Sequence, residues 1–71
     1  MEKIQIRDDF IKLGQLLKLS NLVESGAMAK DVIEAGEVKY NGETEYRRGK
    51  KVYPGDVVEF NGESVTVVNE N

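Results

Sequence analysis

Histidine, cysteine and tryptophan are absent from this 71-residue chain, and proline occurs once. Without cysteine there are no disulfides and no thiolate metal sites, and without histidine the commonest metal ligand and general base is missing. No phosphate-cradling glycine motif and no spaced carboxylate cluster stands in for them, so an enzyme is the least supported class, with no catalytic or metal-binding residue and no cofactor expected. Long hydrophobic runs are missing as well: the apolar stretches are a few residues each, against the roughly 18 that a membrane span requires. The opening MEKIQIRDD lacks a signal-peptide hydrophobic region. The expectation is a cytoplasmic protein without a membrane partner.

What remains is 39% hydrophobic and 32% charged, with the apolar residues in periodic segments. That composition favours one folded domain over residues 1–71, and a chain of this size buries only roughly 60% of the surface its unfolded form exposes. The net charge is -3, unevenly placed. Residues 1–38 carry five Lys/Arg against seven Asp/Glu, residues 39–51 five against two, and residues 52–71 none against four. The stretch YRRGKKVYPGD, residues 46–56, is therefore a basic patch in an acidic protein. Overall charge does not exclude a polyanionic partner, because binding follows local potential and the number of phosphates neutralised.

Changes of period divide the chain. EKIQI at 2–6 alternates as a short strand does. Phe10, Leu13, Leu16 and Leu17 then form one stripe of a helix expected from about 9 to 20, capped by Asp8 or Asp9. Gly14 inside that helix costs roughly 1 kcal/mol relative to alanine, so either another element packs close there or the helix is marginal. Ser25 is the expected N-cap of a second helix whose stripe is Met28, Ala29, Val32 and Ile33, with Gly36 ending it in a left-handed conformation. Leu22 and Val23 plug the corner between the two helices. Asn41-Gly42 and Asn61-Gly62 are two-residue hairpin turns and Pro54-Gly55 is a further turn. The turn at 61–62 sets Val58 opposite Val65, with Phe60 and Val67 on the same face. The fold class is α+β: two packed helices in a helix-turn-helix arrangement against a small antiparallel sheet of short strands and hairpins.

By itself RRGKK reads more often as a solvated loop than as a binding site. The run KLGQLLKLSNLVESGAMAKDVIEAGEVKYNG, continuing to VYPGDVVEF, reverses that preference. Over positions 12 to 60 it resembles the S4 domain, an RNA-binding module also called the αL motif, and in particular its small stand-alone bacterial members. The resemblance implies an RNA face. Lys12 takes the basic opening position, Ser25 and Lys30 the corner and second helix, and Lys39 the outward position before the Asn-Gly turn. Arg47, Arg48 and Lys50 form the basic segment, with Lys51 beside them. Two departures stand out: Gly14 replaces the usual acid, and Gly26 replaces the basic residue that many members carry after the serine. The second leaves a bare helix N-terminus whose amides can receive a phosphate, so Gly26 stays among the candidates.

Lys18, roughly opposite the apolar stripe, reads as a solubilising residue, Asp56 as structural, and Tyr40 as core. Tyr46 and Tyr53 flank the basic loop, either stacking on bases or covering the sheet edge. Lys12, Lys30, Arg47, Arg48 and Lys50 are expected on one side, with Asp56, Glu59, Glu63 and Glu70 largely elsewhere. The function implied is non-catalytic binding of structured RNA, ribosomal or transfer RNA, by a monomer in translation or ribosome assembly, with ribosomal particles as partners. Two other classes remain open. A DNA-binding helix-turn-helix protein fits the helix pair, although GAMAKDVIEA offers one lysine against Asp31 and Glu34. A ribosome-associated adaptor fits the acidic C-terminal hairpin.

Overall fold

Alternation at the N-terminus does produce a strand, β1 (Glu2–Ile6), but its partner lies at the other end of the chain. In the computed structural model, which describes residues 2–69, β1 runs parallel to the last strand, β7 (Glu63–Asn69), with Ile4 opposite Val67. Between them come β2 (Ile11–Lys12), α1 (Leu13–Leu19), α2 (Gly26–Glu34), β3 (Val38–Tyr40), β4 (Glu43–Thr44), β5 (Lys51–Val52) and β6 (Val57–Phe60). The main sheet has the order β1-β7-β6-β3-β4, and β2 pairs with β5 in a separate two-stranded ladder. The sheet is therefore mixed where an antiparallel one was expected. A parallel pair needs a long crossover, and here the helix pair and both later hairpins supply it.

The turns behave as their residues dictate. Asn41 and Gly42, and likewise Asn61 and Gly62, have positive φ at both positions, the mirror-image turn whose twist matches the flanking strands. The second turn fixes Val58 opposite Val65, and Val58, Phe60, Val65 and Val67 are all buried.

α1 is shorter than its periodicity suggested, beginning at Leu13, with Phe10 outside it and neither Asp8 nor Asp9 as its cap. The N-cap position is Lys12, which makes no side-chain capping bond. The acceptors come from a distant loop: the Leu13 amide donates to the Lys50 carbonyl at 2.8 Å and the Gly14 amide to the Arg48 carbonyl at 3.1 Å. Ser25 caps α2 as expected, its Oγ accepting from the Met28 amide at 3.1 Å. Gly36 at φ 80 ends α2, with the Gly36 and Glu37 amides donating back to Ile33 and Val32. Leu13, Leu16 and Leu17 of α1 pack with Ala29, Val32 and Ile33 of α2 over the sheet's Val38, Val58 and Val67, and Val23 seals the interhelical corner. Each large side chain so buried contributes about 1.5–3 kcal/mol of transfer free energy.

Candidate nucleic-acid interface

The two loop-to-helix hydrogen bonds fasten the basic segment onto the start of α1, and Gly14 permits the approach. A Cβ on Gly14 would lie 2.7 Å from Arg48 Cγ and 3.6 Å from the Arg48 carbonyl oxygen. Of the two explanations for a glycine inside α1, close packing is the one the structure shows. Arg48 thereby joins Lys12, Gly14, Gln15, Lys18, Gly26 and Gly49 around a cleft of about 470 Å³. Three cations and the N-terminus of α2 meet there.

Met28 and Ala29 at the start of α2 donate their amides to Ser25, while the Gly26 and Ala27 amides have no hydrogen-bond partner among the described residues. Nothing lies within 4 Å of a Cβ built on Gly26, so this helix end opens directly into the cleft. The N-terminus of α1 is different, since its first amides are taken by the loop.

A second depression, about 520 Å³, is lined by Arg47, Gly49, Lys50, Lys51 and Tyr53. Its cations are partly engaged within the fold. Arg47 donates from Nε to Glu45 Oε2 at 3.0 Å and holds the Glu45 carboxyl below the ordinary glutamate value. Lys50 Nζ lies 4.8 Å from the centre of the Tyr40 ring, and Lys51 Nζ lies 4.9 Å from that of Phe10. Lys51 is also the register partner of Lys12. Two like charges opposite one another repel, a local cost that a bound anion relieves.

Lys30 is exposed on α2 and lines neither depression. Lys39 is exposed on the sheet face turned away from the helices, since its neighbours Val38 and Tyr40 point to the core side, and its register partner on β6 is Glu59. Lys18 was read as solubilising, yet it lines the cleft. The signal was its spacing of four from Gly14, which puts both on one face of α1.

Asp56 does not stand apart from the basic residues. Burial works against its charged carboxylate, but hydrogen bonds from Tyr40 Oη at 2.6 Å, the Tyr53 amide at 2.8 Å and Asn41 Nδ2 at 3.1 Å, with the charge of Lys50, outweigh it and hold the acid below the ordinary aspartate value. The same bond pushes the Tyr40 phenol up to about 12. Asp56 thus ties β3, the Pro54-Gly55 turn and the end of the basic loop into one unit. Glu70 lies outside the described residues.

Among the described residues no group of three or more His, Cys, Asp or Glu is placed to hold a metal ion, and no helix is long and apolar enough to cross a membrane. The S4 domain model matches residues 4–68. A probable ribosome maturation protein, RlbA, of Bacillus subtilis is 49% identical over 67 residues, covering 93% of this chain and 94% of its own. A putative RNA-binding protein, YbcJ, of Escherichia coli is 47% identical over 58 residues, 82% of this chain and 83% of its own. The solution structure of YbcJ, described as revealing an αL motif involved in RNA binding, superposes with a TM-score of 0.74 at 40% identity over 96% of this chain and 87% of that one. The 30S ribosomal protein S4e of Thermoplasma acidophilum gives 0.62 at 31% identity, over 82% of this chain and 31% of that one.

Proposed function

The chain belongs to the S4 domain family, and from that premise we propose that it is a non-catalytic RNA-binding protein that grips structured RNA, ribosomal RNA foremost, during ribosome assembly. The observation that carries the reading is the meeting of Lys12 and Lys18 with Arg48 and the open N-terminus of α2 around one cleft, three stretches that are separate along the chain. A phosphate there meets lysine and arginine charge together with the unpaired Gly26 and Ala27 amides. Ser25 holds that helix end in shape, and Arg47, Lys50 and Lys51 extend the positive surface along the loop, while Lys39, on the far face of the sheet opposite Glu59, takes no part. Such a surface reads the spacing of phosphates and 2′-hydroxyls, which is how double-helical RNA is recognised. The relative named as a ribosome maturation protein supports the assembly context.

The test is a titration of the purified protein against a ribosomal RNA fragment and duplex DNA of equal length at moderate salt, alongside crosslinking in bacterial cells and sequencing of the recovered RNA. Tighter binding to RNA and enrichment of ribosomal RNA are expected. Equal or tighter binding to DNA would move the function to the helix-turn-helix class, and recovery of proteins without enriched RNA would favour an adaptor.

A further inference from the structure

The small β2–β5 ladder has an outward face that phosphate binding leaves unexplained. Ile11 pairs with Val52, and both turn inward, Val52 fully buried and Ile11 packed against the core. Side chains alternate along a strand, so the neighbouring pairs point the other way. One of these is Lys12 with Lys51. Continuing the register by one step beyond the ladder brings Phe10 beside Tyr53, and their ring centres are 5.9 Å apart with the planes tilted by 52°. The outward face therefore carries a pair of cations followed by a pair of aromatic rings.

Tyr53 is 46% exposed even though its ring is held by Phe10, and it lines the same depression as Arg47, Lys50 and Lys51. The Tyr53 amide is fixed by Asp56, and Lys51 Nζ lies over Phe10, so the platform is ordered before any ligand arrives. Tyr46, more exposed at 62%, is placed differently: its ring lies across Gly36, 3.1 Å from where a Cβ would be. A held, half-exposed ring among cations fits one chemistry well, a planar base attached to a phosphate.

Resting on the RNA-binding reading, we propose that Tyr53, backed by Phe10, is a stacking site for one unpaired nucleobase of the bound RNA, with Lys12 and Lys51 holding the adjoining phosphates. The protein accordingly prefers RNA in which a bulged or terminal base adjoins a helix. The shape-reading cleft handles the paired part, and the aromatic pair handles the base that is not paired.

The experiment is ultraviolet crosslinking in bacterial cells with mass spectrometry of the nucleotide-bearing peptides, joined to salt series of binding isotherms on purified ribosomal RNA. Wild type, Tyr53→Phe and Tyr53→Leu are compared, leucine keeping an apolar cover over Phe10 without a π face. A nucleotide adduct at Tyr53 or Phe10 is expected. Tyr53→Phe should bind as wild type does, and Tyr53→Leu should bind roughly 5- to 150-fold more weakly, the usual range for one stacked base. Its salt slope should be unchanged because every cation that meets a phosphate is still in place. Adducts confined to other peptides, with wild-type affinity in Tyr53→Leu, overturn the stacking site and leave RNA binding standing. The absence of any RNA adduct on the protein overturns both.

Discussion

At the residue scale, Gly14 and Arg48 form a coupled pair. Alanine at position 14 raises helix propensity, yet its Cβ would displace the arginine Cγ from its place on α1. In an Arg48→Ala background that obstacle is gone. Gly14→Ala should therefore stabilise the Arg48→Ala protein by about 0.5–1 kcal/mol and leave the wild type unimproved, a coupling that a thermal-melting double-mutant cycle measures. Equal effects in both backgrounds would show that Arg48 does not depend on the missing side chain. Asp56 and Tyr40 give a second residue-scale expectation. Tyr40 has its folded value raised to about 12, so the stability of its bond to Asp56 is fully present below the free phenol value of about 10 and is lost as pH rises toward 12. Asp56 has its value lowered, so its contribution is present above about 3.9 and is lost as pH falls below that. In Asp56→Ala, an absorbance titration carried to the onset of unfolding should show Tyr40 ionising closer to 10. An unchanged titration curve would mean that the bond does not form in solution.

At the element scale, the glycines at the two ends of α2, Gly26 as its first residue and Gly36 just past its C-cap, are opposite in consequence. Gly36 combines φ 80 with the Tyr46 ring 3.1 Å from a built Cβ, so Gly36→Ala should destabilise the fold by about 1–2 kcal/mol in a melting experiment. Gly26 has nothing within 4 Å and no positive φ. Gly26→Ala should be neutral or stabilising by up to about 1 kcal/mol. The added methyl stands at the mouth of the cleft, however, so RNA affinity should fall while the salt slope stays put. A Gly26→Ala protein that binds as tightly as wild type would remove the α2 N-terminus from the interface.

At the scale of the whole molecule, an acidic protein concentrates its cations where two helices, a ladder and a loop meet. Replacing Arg47, Arg48, Lys50 and Lys51 by alanine should shrink the slope of log affinity against log salt by roughly 0.7–0.9 for each phosphate that is no longer neutralised. From sequence these four side chains lie outside every apolar stripe, which implies little effect on folding. The positions of Lys50 over Tyr40 and Lys51 over Phe10 change that expectation: removing both cation–π interactions should cost about 1–2 kcal/mol in the melting control. An unaltered salt slope in a folded variant would leave the loop a solubilising feature.

Local rules were sufficient wherever one residue's own conformation or cap decided the outcome. Ser25 caps α2, Gly36 ends it, the two Asn-Gly pairs make mirror-image turns, and the second of them sets Val58 opposite Val65. Period alone gave Leu13, Leu16 and Leu17 of α1 and Ala29, Val32 and Ile33 of α2 as buried, and β1 as a strand. It also placed in those stripes Phe10, which precedes α1, and Met28, which is 38% exposed in the first turn of α2. What sequence could not decide was every partner distant along the chain. β1 pairs in parallel with β7 because the intervening crossover brings them together, and nothing in EKIQI encodes that neighbour. α1 starts at Leu13 because the carbonyls of Arg48 and Lys50 replace a side-chain cap, an arrangement invisible in the residues before it. The β2–β5 ladder is two residues long on each side, too short for any periodic signal, yet it aligns Lys12 with Lys51 and Phe10 with Tyr53. Lys18 entered the cleft and Lys39 turned to the far face of the sheet for the same reason. Residue type determines that a side chain is charged, whereas the potential at a surface depends on which charges the packing of a core brings within a few ångströms of one another.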